Sequence, residues 1–454
     1  MQTIEIRSTS SLSLARVPLG TWLLYLFTVI YPFFMFAVFF TRDSIPFWVT
    51  VLIILFVAVR IISLQGSFWL DRSFVYLLLF LAAYLIGTVV IDMADLTYSW
   101  LGRTPLERSV TTTLRLLYVV CAYFAFVSLL IGAEERVFVN ILKIQLYGGA
   151  IFALFGILQY VSVDFFHSSV LTGFEPTNET YVLRSNIMRI GTERVFRASS
   201  IFSEPAWFGF FLTPLVVKCF VAWFKGFIIG NKMVHLSLMA IFAVAVLANF
   251  SLTALLGTAA VVVVAIVRLA QKSPRKTILL VLATAGVLAV LVMSPLGPPL
   301  LARFARIAAF RDASTIDRLI RAYTAVKVVI LHPWFGVGPG GFAFFYPRLG
   351  GLDWAVMATP LNIWLSILTD VGIVGFIPFL LFLVNILRRA ARVGRLHPLV
   401  SVYLWSVLTF LILLSTLDNW FGEMLWFELA ILLALAIRVS STRKGAVLKG
   451  APAT

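Results

Sequence analysis

Twelve stretches of about 20 mostly apolar residues recur along this chain of 454 residues, and a run of that length is what one helix needs to cross the hydrocarbon core of a bilayer. They fall near 20–41, 46–65, 74–93, 112–132, 137–162, 205–224, 232–250, 252–269, 276–294, 361–386, 398–416 and 423–438, with a short break at Asn249–Leu252 and a last hairpin around Asp418. Backbone polar groups have no water to bond inside a bilayer, so such segments fold as helices whose hydrogen bonds are internal. Composition agrees: 61% of residues are hydrophobic and 12% charged, against about 25% charged in soluble chains. The expected fold is an all-α polytopic membrane protein of about 12 transmembrane helices, forming a single integral membrane domain over 1–454 with no internal repeat, low-complexity segment or soluble domain. The polar first nineteen residues, with Arg7 and Arg16, lead into an apolar run with no A-x-A-like cleavage site, which predicts an uncleaved first span.

The formal charge of +16 would suit nucleic acid in a soluble chain. Here the basic residues sort by loop. Arg60 and Arg72, Arg136 and Lys143, Lys225 and Lys232, the group Arg268, Lys272, Arg275 and Lys276, the group Arg388, Arg389, Arg392 and Arg395, and finally Arg438, Arg443 and Lys444 all fall on the side of the N-terminus. The bias of lysine and arginine toward cytoplasmic loops makes that side the cytoplasm, with both termini there and no nucleic-acid role implied. Membrane-embedded Arg60, Arg115 and Lys218 lie near span ends, where a long side chain snorkels to the headgroups. Cys121 and Cys219 sit within apolar runs and read as packing residues.

On the opposite face two loops are much longer than the rest, at 163–204 and 295–360. Within the second, Ser314 precedes Asp317 by three residues, a helix-start pattern. Ile316, Leu319, Ile320, Tyr323 and Ile330 follow at helical spacing, Arg318 and Arg321 share the other face, and Pro333 ends the helix. Gly336, Gly338, Gly340 and Gly341 then make a turn. They match G-x-G-x-x-G literally, but a dinucleotide site needs a strand before the glycines and a helix after them; here a helix precedes, and a structural turn is the plainer reading. No phosphate loop, G-x-S-x-G elbow or metal spacing occurs.

The first long loop ends in Arg197-Ala-Ser-Ser-Ile-Phe-Ser-Glu204-Pro205, entering a span whose first turn suits the proline. Arg197 and Glu204 read either as an interfacial ion pair, with the glutamate capping the helix, or as site residues. In the second reading Arg197 and Arg318 converge from the two loops on one anionic group, since a guanidinium fork matches phosphate. His332, before Pro333, reads as a helix-end residue at the membrane surface.

The run from Arg318 through HPWFGVGPGGF, followed by Asn362-Ile-Trp-Leu and by Gly372 and Gly375, resembles the bacterial O-antigen polymerase/ligase family, as does RASSIFSEPAWFGFF. The resemblance covers about residues 190–385 by motif and the whole chain by topology. It implies an inner-membrane glycosyltransferase working at the periplasmic face, moving glycan from undecaprenyl pyrophosphate to an acceptor hydroxyl without nucleotide sugar, cofactor or metal. The implied partners are the lipid-linked glycan donor and acceptor and membrane lipids, with a chain-length regulator and a flippase as further candidates. The functional arginines of the family match Arg197 and Arg318, and Glu204 is the nominee for general base, with Asp353 and Asp370 as rivals. Arg321, Arg194, His332, Gly336, Gly338 and Asn362 are the candidate substrate-binding residues. Ligases carry a His-Asn pair, nine further residues, then G-x-x-G; here Leu361 stands where the histidine should be. That favours a polymerase of repeat units for O-antigen, capsule or exopolysaccharide. The alternatives are a ligase to lipid A-core and a lipid-linked oligosaccharide transporter.

Overall fold

A computed structural model describes residues 18–33, 44–63, 71–93, 104–168, 187–190, 193–202, 204–251, 297–309, 312–349, 359–417 and 421–448, together with isolated positions, most of them between 254 and 293. The helices are α1 (Leu19–Ile30, continued by a 3-10 turn over Tyr31–Phe33), α2 (Ile45–Ile62), α3 (Arg72–Met93), α4 (Pro105–Ile131) and α5 (Glu135–Asp164). A short antiparallel ribbon follows, β1 (Ile187–Ile190) and β2 (Glu193–Phe196), with Arg189 opposite Arg194. The chain continues as α6 (Pro205–Phe224), α7 (Lys232–Asn249), α8 (Gly297–Ala308), α9 (Ala313–Leu331), α10 (Phe342–Phe345), α11 (Ile363–Gly394), α12 (Pro398–Leu414) and α13 (Glu423–Leu448). The expected all-α polytopic architecture is present, with that one ribbon added in the first long loop.

Among the described residues eight helices are long and apolar enough to span a membrane, and two shorter apolar helices accompany them at Leu19–Phe33 and Pro398–Leu414. The expected windows at 252–269 and 276–294 lie largely outside the described residues. The predicted break at Asn249 is present: α7 stops there because Phe250 adopts a left-handed conformation, φ 48°.

Two compact units divide the chain, one of residues 1–144, 224–227 and 317–454, the other of residues 145–223 and 228–316. In the first, α3 and α11 run antiparallel: Asp71 pairs with Arg389 at one end, and Tyr84 reaches Asp370 toward the other. Thr88 of α3 bonds Thr113 of α4 at 2.9 Å, while Glu423 at the start of α13 accepts from Tyr118 of α4 at 2.8 Å. Aromatic rings fill the space between, with Phe80 against Phe379, and Tyr123 and Phe382 against the fully buried Trp426.

The second unit is packed through missing side chains. A β-carbon on Gly156 would collide with the Phe208 ring, and one on Gly209 with Ala254 and the Asn249 amide. Lys218, expected to snorkel, is instead 1% exposed, with its ammonium donating to Gln145 Oε1 at 2.7 Å. A side-chain acceptor from α5 takes the place of the water that snorkelling would have sought.

Candidate functional site

The glycine-rich turn is built by a break in α11. At Gly372 the backbone leaves helical geometry (φ 59°, ψ −163°), which uncouples the Thr369 carbonyl from the Ile373 N–H, a pair that an unbroken helix would join. Buried backbone groups need other partners, and the turn supplies them. Val337 N–H donates to Thr369 O at 2.7 Å, Ile373 N–H to Pro333 O at 2.9 Å, and Val374 N–H to Trp334 O at 3.1 Å. The approach is too close for side chains. A β-carbon on Gly336 would run into the Thr369 carbonyl and the Asp370 backbone, and one on Gly372 into the Trp334 carbonyl. Gly336 and Gly338 also hold positive φ, 68° and 85°.

Asp370 fixes the other side of the turn. Its Oδ1 accepts from Gly340 N–H at 3.0 Å and its Oδ2 from the Tyr84 hydroxyl at 3.0 Å. Arg108 Nε donates to the Gly340 carbonyl at 2.9 Å, so both polar groups of Gly340 are held. The glycines form a closely packed structural turn held from both sides. Asp370, nominated as a rival base, is a buried anchor of that turn; Asp353, the other rival, lies outside the described residues.

Helix α9 leads into this turn. Asp312 caps it, accepting from Thr315 N–H at 3.0 Å and from the Thr315 hydroxyl at 2.8 Å. The cap expected at Ser314 falls two residues earlier, because the helix begins at Ala313 and so puts Asp312 at its N-cap and Ser314 inside the first turn. Asp317 is then available to Arg321, whose Nε donates to both of its oxygens at 3.0 and 2.9 Å. Arg321 also donates through Nη1 to Thr359 O at 3.2 Å and lies over the Tyr346 ring. Arg321, a candidate substrate-binding residue, is buried and tied into this local network; Arg318, one turn earlier, is half-buried.

Most of the apolar stripe of α9 is exposed, Leu319 by 49%, Tyr323 by 63% and Ile330 by 71%, while Ile320 packs against the inner cluster. The inward face is made of small residues, Thr324 and Ala325 with Val328, which let the helix approach Val337, Phe342 and Tyr346. His332 stands exposed just past the helix, its ring edge-on to Phe345.

Arg321's hold on Thr359 precedes the start of α11 by a few residues. Asn362 caps that helix, its Oδ1 accepting from Trp364 and Leu365 N–H at 3.0 and 3.1 Å, and its amide donating to Ser415 O at 2.8 Å. Asn362 thus has a capping role in addition to whatever it offers a substrate. Leu361, just before it, takes a left-handed conformation, φ 51°.

Arg197 and Glu204 belong to the second unit, on a loop pinned by buried polar side chains. Gln159 receives Ser200 N–H at 2.7 Å and donates to Ser200 O at 2.8 Å. Asn249 donates to the carbonyls of Ala198 and Pro205 at 2.8 and 2.7 Å, and Asp164 accepts from Phe196 N–H at 3.1 Å. Ser200 is held at φ 55° within this frame. Both Arg197 and Glu204 are half-buried. The Glu204 carbonyl accepts from Trp207 and Phe208 N–H at 3.1 and 3.3 Å, which places the residue at the head of α6, as expected. Arg194 lies in β2.

Sequence reasoning missed Gln159, Asn249, Tyr84 and Arg108. A polar side chain inside an apolar span is a usable signal for the first two; nothing local marks the others. Among the described residues no cluster of three His, Cys, Asp or Glu side chains could hold a metal. Residues 237–380 match the family described as O-antigen ligase. No curated protein matches the chain.

Proposed function

We infer, for a chain whose residues 237–380 place it in the O-antigen ligase/polymerase family, a membrane enzyme that polymerises lipid-linked oligosaccharide repeat units. The coarser statement, a glycan-transferring membrane enzyme, follows from the family. The finer one takes undecaprenyl pyrophosphate as the carrier and the periplasmic face of the bacterial inner membrane as the place of reaction, with both termini in the cytoplasm. A chain-length regulator and a flippase fit this reading as partners.

In the proposed reaction the acceptor hydroxyl oxygen attacks the anomeric carbon and the bond from that carbon to the pyrophosphate oxygen breaks. Negative charge then develops on the leaving pyrophosphate. Arg197 and Arg318 are the proposed groups that meet it, each a forked donor set on a braced segment of its own unit. A preorganised donor of this kind contributes about 10²–10³ in rate. The hydroxyl proton passes to Glu204, the proposed base. Arg321 holds Asp317 and Thr359 in place and so supports the segment that carries Arg318.

The observation favouring polymerase over ligase is Leu361. The residue before the Asn362 cap is apolar and can take no proton, whereas ligases of the resembled family carry histidine there. A deletion strain tests the assignment: single repeats on carrier or core indicate a lost polymerase, and long unattached chains a lost ligase.

A further inference from the structure

Arg72, Arg388, Arg389 and Arg392 surround a cavity of about 560 Å³ where α3 begins and α11 nears its end. It lies far from the glycine-rich turn, since the 16 residues from Ile373, just past the break at Gly372, to Arg389 cover about 24 Å of helix. The transfer reaction proposed above makes no use of this end of the unit.

Among the described lining residues Asp71 is the one carboxylate, and it is already engaged. It accepts from Ser73 N–H at 2.8 Å and pairs with Arg389 Nη1 at 3.0 Å. Asn385 donates to the Ser73 hydroxyl at 2.6 Å, joining the two helices behind the cavity. Arg389 is therefore fixed in direction, while Arg388 and Arg392 are exposed at the rim. Arg392 and Arg388 also line an adjoining cavity of about 470 Å³ with Arg395. Part of the wall is apolar, with Tyr76, Leu381 and Val384.

The geometry points to a binding site for a phosphate-bearing anion, with the headgroup of an anionic phospholipid as its source. Four guanidinium groups around one cavity repel one another, and a phosphate oxygen set between them replaces that repulsion with charge-assisted, forked hydrogen bonds. The apolar wall beside the cations suits the first carbons of acyl chains. A general excess of lysine and arginine on one side of a membrane requires neither a cavity nor an arginine aimed by an aspartate.

The test is native mass spectrometry of the delipidated full-length protein titrated with dioleoyl phosphatidylglycerol, with phosphatidylcholine as the zwitterionic comparison and glycerol 3-phosphate as a headgroup without tails. Phosphatidylglycerol is expected to bind the wild type at least about tenfold more tightly than the Arg388→Ala/Arg392→Ala variant, one charge-assisted contact being worth about that factor. The Arg388→Lys/Arg392→Lys variant keeps the charge and is still expected to lose most of the preference, whereas Arg136→Ala, removing an exposed arginine paired with Glu134, should leave it within about twofold. Competition by millimolar glycerol 3-phosphate would support the phosphate site and make a soluble anion its source; absence of competition assigns the site to lipid. Equal binding of the two lipids, or wild-type affinity in both double variants, would overturn the proposal. Neither result bears on glycan transfer, which is assayed separately.

Discussion

Asp370 receives the backbone N–H of Gly340 at 3.0 Å across 30 residues of sequence, and its second oxygen receives the Tyr84 hydroxyl. One buried carboxylate thus joins the glycine-rich turn to α3 and α11. Asp370→Asn keeps the shape but loses charge-assisted acceptance, at a cost of about 1.5–3 kcal/mol. The variant should show a lower thermal midpoint in detergent, and Tyr84→Phe a smaller drop in the same direction. Unchanged thermal stability with abolished transfer would instead make Asp370 a reacting group.

Substituting alanine at Gly336 or Gly372 forces a side chain into left-handed backbone, costing about 1–2 kcal/mol, and drives it into a carbonyl of the facing segment. Both variants should accumulate poorly or lose their thermal transition. Gly132, with open space around its missing β-carbon, is the control: Gly132→Ala should stay within about 0.5 kcal/mol of wild type.

Arg318 and Arg321 should separate by readout. Arg318→Ala is expected to abolish product while the protein still accumulates, and Arg318→Lys should not restore full activity because a point charge lacks the fork. Arg321→Ala leaves Asp317 without its partner and frees Thr359, so it should lower thermal stability by about 1–3 kcal/mol. Wild-type chain lengths with Arg318→Lys would reduce Arg318 to a surface charge.

The spans that the structure describes and the helix–turn organisation of 314–342 were legible because hydrophobic runs and glycine-proline punctuation are local signals. The direction in which α9 faces was not. Of its apolar stripe Leu319, Tyr323 and Ile330 are exposed and Ile320 packs inward beside the small Thr324 and Ala325, since periodicity shows that two faces differ without saying which one packs. The glycine motif and the Gly372 break were each visible, but that they complete one another's hydrogen bonds is a tertiary fact. The cap falls at Asp312 and not at Ser314 because the helix starts at Ala313, and local signals place a helix end only to within a residue or two. Gln159 and Asn249 were overlooked although each is polar within an apolar run, and together they hold the loop that carries Arg197.

Glu204→Gln probes the proposed base. The amide keeps the shape and removes the proton acceptor, so transfer should fall by about 10²-fold or more. A residue that only heads α6 would retain most activity, because capping contributes about 1 kcal/mol. Leu361→Ala should leave transfer measurable, since Leu361 supplies no proton acceptor. Robust extension by the glutamine variant would remove Glu204 from the mechanism.

The most direct test of the central reading is reconstitution of the purified protein with lipid-linked repeat units, without nucleotide sugar or added metal, and with lipid A-core offered as a competing acceptor. The expected product is a ladder of extended chains that remain on the polyprenyl carrier, absent in Arg318→Ala. Transfer of unextended glycan to lipid A-core, with no ladder, would contradict it and show that a ligase works with leucine at position 361.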